Sequence, residues 1–319
     1  MGHFLSTLHT HTWAFAAAAL GVMALWDPVG LYLVALAVFG LPHVLWELAW
    51  VRQAWAAVLP RIFWVSLFGA LAVQACARFA LWADRIGPDA AALCDAVTLA
   101  LALMASMALF RRDRPVQRVG LAVIAVAMPA ALIVLADTPY VMGILATLAI
   151  AHNFTPIGLV PGDARIGRWP ARSVLALLFT APVALFVVLW LLDTGARTGP
   201  GWTPAELGWT KGFSPAFEHA LLPALIWAQC LHYLAVLHLL PRTMGKAWQG
   251  LPWRAVALAA CALLLLWFLL DFSRARGFYA IAAGAHAWIE WPLILLAMLG
   301  LARPRPAIKN PPHLKYGLK

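Results

Sequence analysis

Two polar pairs interrupt an otherwise apolar chain. GLPHVLWELAW, residues 40–50, carries His43 and Glu47; GAHAWIEWPLI, residues 284–294, carries His286 and Glu290. On a helix, residues four apart share a face one turn apart, so each pair can reach one ion, or the carboxylate can orient the imidazole. Further polar groups stand in IAHNFTPIG (His152, Asn153) and in WAQCLHYLAVLHLLPR (Gln229, His232, His238). Imidazole with carboxylate suits non-haem iron, and such a set with open positions is an oxygen-activating arrangement. Imidazole alone also suits copper, zinc or haem iron.

The predicted metal ligands are His43, Glu47, His152, His232, His238, His286 and Glu290, with Glu47, Glu290 and Tyr233 as catalytic groups. Gln229 shares a face with His232 by i,i+3 spacing. His238, six residues from His232, points about 120° away and is the outlying member of the set. Trp46, Asn153, Gln229 and Trp288 flank these ligands and are predicted to line a substrate. Tyr279 is a further hydrogen-bonding candidate. Pro42, Pro156 and Pro292 lie beside the polar residues, where a lost N–H and a kink make room for a site.

The elements that hold these residues follow from composition. The 319-residue chain is 64% hydrophobic and 11% charged, with mean hydropathy +0.83. A soluble domain carries about 25% charged residues, so this composition predicts an all-α, polytopic integral membrane bundle. About ten spans are expected: 12–26, 29–51, 62–83, 89–110, 118–136, 139–161, 173–194, 216–240, 253–271 and 277–301. Residues 1–302 form one helical domain, and 303–319 a basic, Pro-rich tail. The longest connection, 193–215, is rich in Gly, Pro and Trp and is expected at the interface. The 17 tryptophans suit interfacial belts, apart from those beside the polar residues. The four cysteines, Cys76, Cys94, Cys230 and Cys261, lie in apolar runs and read as buried small hydrophobes.

The formal charge is +10, which topology explains without nucleic acid. With the N-terminus cytoplasmic, 17 of the 23 lysines and arginines fall inside, including RRDRPVQR and the tail. That asymmetry predicts both termini in the cytoplasm and a multi-pass protein of the plasma (inner) membrane. His3, His9 and His11 then precede the first span on the cytoplasmic side. The second, sixth, eighth and tenth spans all run from outside to inside, and place their histidines at comparable depth. Asp95 of the fourth span is matched by Arg78 of the third. Ionisable groups within a bilayer are costly, and four imidazoles in one layer point to a site rather than to scattered packing residues.

The GLPH motif at 40–43, opening an intramembrane histidine site early in the chain, resembles the Brp/Blh family of integral membrane β-carotene dioxygenases. That resemblance implies an all-helical, iron-dependent enzyme that cleaves β-carotene to retinal with dioxygen through intramembrane histidines. On it, His43 would be an iron ligand, and His232 and His238 would stand where the family has a late histidine pair. The family follows its motif with a small residue and an aspartate, where this chain has Val44 and Glu47. The HxxxH and HxxHH clusters of fatty-acid desaturases and alkane hydroxylases are absent from the sequence.

These residues predict an intramembrane, metal-dependent oxygenase or desaturase, with non-haem iron as cofactor. Its partners would be dioxygen, membrane lipids and a lipophilic substrate such as a carotenoid, isoprenoid or lipid chain, with an electron donor where the chemistry needs one. Two other classes stay open: a haem- or quinone-binding electron carrier using paired axial histidines, and a metal or proton transporter. Against the transporter, no inverted repeat is evident, and the polar residues cluster at one depth rather than forming a track.

Overall fold

The computed structural model describes residues 2–107, 123, 127, 150–160, 165–166, 169–192, 215–244 and 254–298. The expected span 118–136 (two positions apart), residues 139–149 of the span 139–161, the loop 111–118, residues 193–214 of the connection 193–215 and the tail 303–319 lie outside the described residues.

Almost every described residue is helical. In chain order the long helices are α1 (Gly2–Trp26), α2 (Pro28–Trp55), α3 (Arg61–Trp82) and α4 (Pro88–Met107). After a 3₁₀ turn (His152–Phe154) come α5 (Thr155–Leu159), α6 (Ala171–Leu191), α7 (Pro215–Met244), α8 (Arg254–Leu270) and α9 (Phe272–Met298). The only strands among the described residues form a two-residue antiparallel pairing, Arg165–Ile166 with Trp169–Pro170. Helix α1 starts at Gly2 rather than near residue 12, because no proline precedes Pro28. His3, His9 and His11 therefore belong to α1 and do not precede it.

Five stretches are long and apolar enough to cross a membrane: Pro28–Trp55, Arg61–Trp82, Ala171–Leu191, His219–His238 and Phe272–Ala297. Their outward faces are apolar, with Phe68, Leu177 and Leu191 exposed, as are Leu269 and Leu270 on the shorter α8. Such length and such surfaces are those of a membrane protein. Within the bundle α7 is central: 72% of its apolar window is buried, against 17% for α6.

Helices α2 and α9 begin in the same way. Asp27 caps α2 by accepting the Gly30 N–H at 2.8 Å, and Asp271 accepts the Arg274 N–H at 3.1 Å at the start of α9. A carboxylate there satisfies an orphan donor and complements the positive end of the helix. His43 lies 16 residues beyond its cap and His286 15 beyond its own, about 24 and 22 Å along each axis at 1.5 Å per residue.

Two apolar clusters flank that depth. One gathers the early residues of three helices: Leu31 and Leu36 of α2, Leu222 and Ile226 of α7, Ala275 and Tyr279 of α9. The other gathers their later residues: Val51 and Trp55, Leu231 and Val236, Ile289 and Leu293. Early residues meet early and late meet late, so α2, α7 and α9 run in the same direction, as the charge pattern predicts for their spans.

Helices α3 and α4 form an antiparallel hairpin. Asp95 pairs with Arg78, as the sequence predicts, and also accepts from Gln74 Nε2 at 3.0 Å. The turn between them holds Asp84 at φ 55°, a left-handed conformation that Asp tolerates. All four cysteines are free, but only Cys230 is fully buried; Cys76 faces outward on α3, where lipid replaces a protein core.

Candidate metal centre

Three helices and the 3₁₀ turn deliver six ionisable side chains to one point: His43 and Glu47 from α2, His232 from α7, His286 and Glu290 from α9, and His152. His43, Glu47, His232, His286 and Glu290 are all at most 1% exposed. The rings of His43, His152, His232 and His286 interleave. His43 is 5.3 Å from His232 and 4.8 Å from His286, and His152 is 5.1 and 5.2 Å from the same two, centroid to centroid.

Local backbone chemistry explains why His152 sits on a turn. Pro156 has no N–H to give to the carbonyl four residues earlier, which is that of His152. That carbonyl accepts from the Thr155 hydroxyl at 2.6 Å instead, and the chain tightens to 3₁₀ before α5 resumes.

Main-chain carbonyls orient three of the imidazoles. The Nδ1–H groups of His43, His232 and His286 donate to Phe39 O at 3.1 Å, Asn153 O at 3.3 Å and Ala283 O at 3.1 Å. A carbonyl only accepts, so Nδ1 carries the hydrogen in each ring. In the neutral imidazole Nε2 is then the free lone pair, which is how a metal-binding histidine is held.

The Nε2 atoms of His232 and His286 face the carboxylates. Glu47 Oε2 lies 3.2 Å from His286 Nε2 and 3.7 Å from His232 Nε2; Glu290 Oε1 lies 3.5 Å from His286 Nε2. Ligands on one ion with bonds of about 2.1 Å are about 3.0 Å apart at right angles and about 3.4 Å apart at tetrahedral angles. The observed separations, 3.2–3.7 Å, lie around the tetrahedral value. Two sets of donor atoms each fall within 4.8 Å of one another: His43, His232 and His286, and Glu47, His232, His286 and Glu290.

The centre is also short of donors. Among the described residues, Glu47 Oε1 and both carboxylate oxygens of Glu290 have no hydrogen-bond partner. A buried carboxylate left this way is costly unless a cation or proton joins it. Two glutamates and several inward Nε2 lone pairs therefore fit a divalent transition metal.

The remaining sequence candidates take different places. His238 does not join the cluster; its ring packs edge-on against Trp13 of α1, centroids 5.2 Å apart, because six residues along a helix is the wrong face. Tyr233 lies over His43, ring centroids 4.3 Å apart and tilted by 36°, and its hydroxyl accepts from Gln229 Nε2 at 2.6 Å. The Gln229 amide is thus engaged with Tyr233. Asn153 serves through its main-chain carbonyl, while its side-chain Nδ2 donates to Ile150 O. Trp46 and Trp288 pack into the later apolar cluster.

Sequence reading missed the three carbonyls that hold the imidazoles, which leave no side-chain signature. It also missed the reason for the glycine of GLPH. A Cβ on Gly40 would stand 3.2 Å from the Tyr279 ring, so glycine admits the close approach of α9 to α2.

Fold and site together define a helical membrane protein with a buried histidine–carboxylate centre able to hold a metal ion. Comparison with protein-family models, with curated proteins and with solved structures finds no match for this chain.

Proposed function

We propose that this protein is an intramembrane non-haem iron oxygenase or desaturase acting on a lipophilic substrate such as a carotenoid, isoprenoid or lipid chain. One observation carries the reading: imidazoles and carboxylates from separate helices converge in a dry centre, with Nε2 lone pairs inward and carboxylate oxygens that have no hydrogen-bond partner among the described residues. The GLPH resemblance to the Brp/Blh family supports a carotenoid-like substrate class. The charge asymmetry supports a ten-span, multi-pass protein of the inner membrane with both termini cytoplasmic.

Iron, when bound, supplies open coordination positions and one-electron reactivity toward dioxygen. The chain does the rest. Phe39, Asn153 and Ala283 carbonyls fix the imidazole planes, so little reorganisation accompanies binding. Glu47, between His232 and His286, balances the charge of the cation. The apolar clusters on either side exclude water, which protects reactive species from side reactions. Tyr233, held by Gln229, covers one face of the His43 ring.

The test is purification from membranes followed by metal analysis, an optical spectrum and dioxygen uptake with carotenoid or isoprenoid substrates. Bound iron without a Soret band, and uptake that follows iron content, is the expected result. A Soret band assigns the histidines to haem, and protein free of stoichiometric metal overturns both metal readings.

A further inference from the structure

The three imidazoles held by main-chain carbonyls are not held in the same way. His43 and His286 donate to carbonyls of their own helices, Phe39 O and Ala283 O, four and three residues back. The helix that carries each of these rings also orients it. His232 of α7 donates instead to Asn153 O, 79 positions away in the chain. Its orientation therefore depends on where the 3₁₀ turn sits against α7. The whole centre depends on it too, because His232 belongs to both groups of donor atoms.

The turn runs directly into α5, a helix of five residues. So short a helix has little stability of its own. Burial anchors its far end, where Leu159 and Val160 are at most 1% exposed. Val160 leaves the helical conformation at ψ 131°, so carbonyls there have no helical N–H to meet. Arg172, the second residue of α6, supplies the donors. Its Nε–H donates to Val160 O at 2.8 Å and its Nη2 to Gly158 O at 3.2 Å. A cation in the first turn of α6 opposes the positive end of that helix, whereas at the end of α5 it complements the negative one. The charge asymmetry accounts for a basic residue at this end of α6, but not for one that turns back onto two carbonyls.

We infer that Arg172 is a positioning residue of the metal centre: by clamping Gly158 and Val160 it holds α5 and the 3₁₀ turn where Asn153 O keeps the His232 imidazole turned inward. Gly158 is five residues beyond Asn153, about 7.5 Å at 1.5 Å per residue, so the clamp acts on the ring through little more than one turn. The guanidinium offers two donors from one planar edge; a lysine offers a point charge that does not match two carbonyls at once. This inference rests on the metal-centre reading above.

The experiment titrates the full-length protein in detergent with Co(II), whose visible absorption reports the geometry of its ligands, and follows Tm in parallel. Arg172→Met and Arg172→Lys are compared with wild type and with Arg78→Met, which disturbs the α3–α4 hairpin and controls for destabilisation alone. Arg172→Met should weaken Co(II) binding by about tenfold or more and alter the visible bands. Arg172→Lys should lie between it and wild type, and Arg78→Met should lower Tm with affinity and bands unchanged. Wild-type affinity and bands in Arg172→Met overturn the inference and leave the metal centre standing, as do equal losses in Arg78→Met. If Arg172→Met does not accumulate, Arg172→Lys decides, and wild-type affinity and bands in it overturn the inference. Wild-type protein that binds no Co(II) overturns the metal-centre reading and this inference with it.

Discussion

Glu47 Oε2 lies 3.2 Å from His286 Nε2, although the two residues are 239 positions apart in the chain. The contact joins α2 to α9, and the same oxygen faces His232 of α7 at 3.7 Å. One carboxylate thus ties together three helices that run in the same direction. Glu47→Gln keeps the shape and removes the charge, so metal affinity should fall by at least about tenfold. An iron titration of the purified variant against wild type checks this; unchanged affinity would remove Glu47 from the centre.

His43→Ala, His232→Ala and His286→Ala should each lower bound metal while the protein still inserts in the membrane. His238→Ala should leave metal content at the wild-type level, since His238 packs on Trp13 away from the cluster. Metal content per chain and membrane fractionation read both halves. Full occupancy in the first three variants would refute the assignment of ligands.

Metal should also stabilise the fold. A cation that binds the folded state alone raises stability by about 2.7 kcal/mol at a hundredfold excess over its dissociation constant. Chelator treatment should therefore lower Tm in detergent, and ferrous iron should restore it in a concentration-dependent way. A Tm indifferent to metal would mean that the unpartnered carboxylates are satisfied by protons alone.

Gly40→Val adds a branched side chain at a position where even a Cβ would stand 3.2 Å from the Tyr279 ring. Overpacking of this kind costs about 1–3 kcal/mol, seen as a lower Tm. Gly69→Val is the control, because no described residue lies within 4 Å of a Cβ there.

Arg78→Met removes the partner of Asp95, which is fully buried between α3 and α4. Breaking one side of a buried pair costs about 3–5 kcal/mol, because the remaining charge is uncompensated. The double variant Arg78→Met/Asp95→Leu should recover most of that loss. Thermal unfolding of the two single variants and the double one gives the coupling directly, and additive losses would show that the pair is not coupled.

Much of this architecture is legible in the residues alone. Long apolar runs can only be helices when no water is present to satisfy the backbone, so α2, α3, α6, α7 and α9 follow from composition and length. The Arg78–Asp95 pairing and the common direction of α2, α7 and α9 follow from charge placement. The membership of His43, Glu47, His232, His286 and Glu290 in one buried layer follows from spacing and depth. Periodicity also marks His238 as the outlier, since a helix turns its sixth neighbour to another face.

The tertiary structure decided what periodicity has no means to express. Spacing says which face of a helix a residue occupies, but not which neighbour that face meets; only packing brought Glu47 between His232 and His286. Main-chain carbonyls carry no sequence signature, so the roles of Phe39, Ala283 and the backbone of Asn153 became visible only with the helices in place. The side-chain partners of Gln229 and the meaning of Gly40 arose in the same way, from contacts between α2, α7 and α9. The sequence determined which groups are too costly to leave alone in an apolar interior, and the fold determined which of them meet.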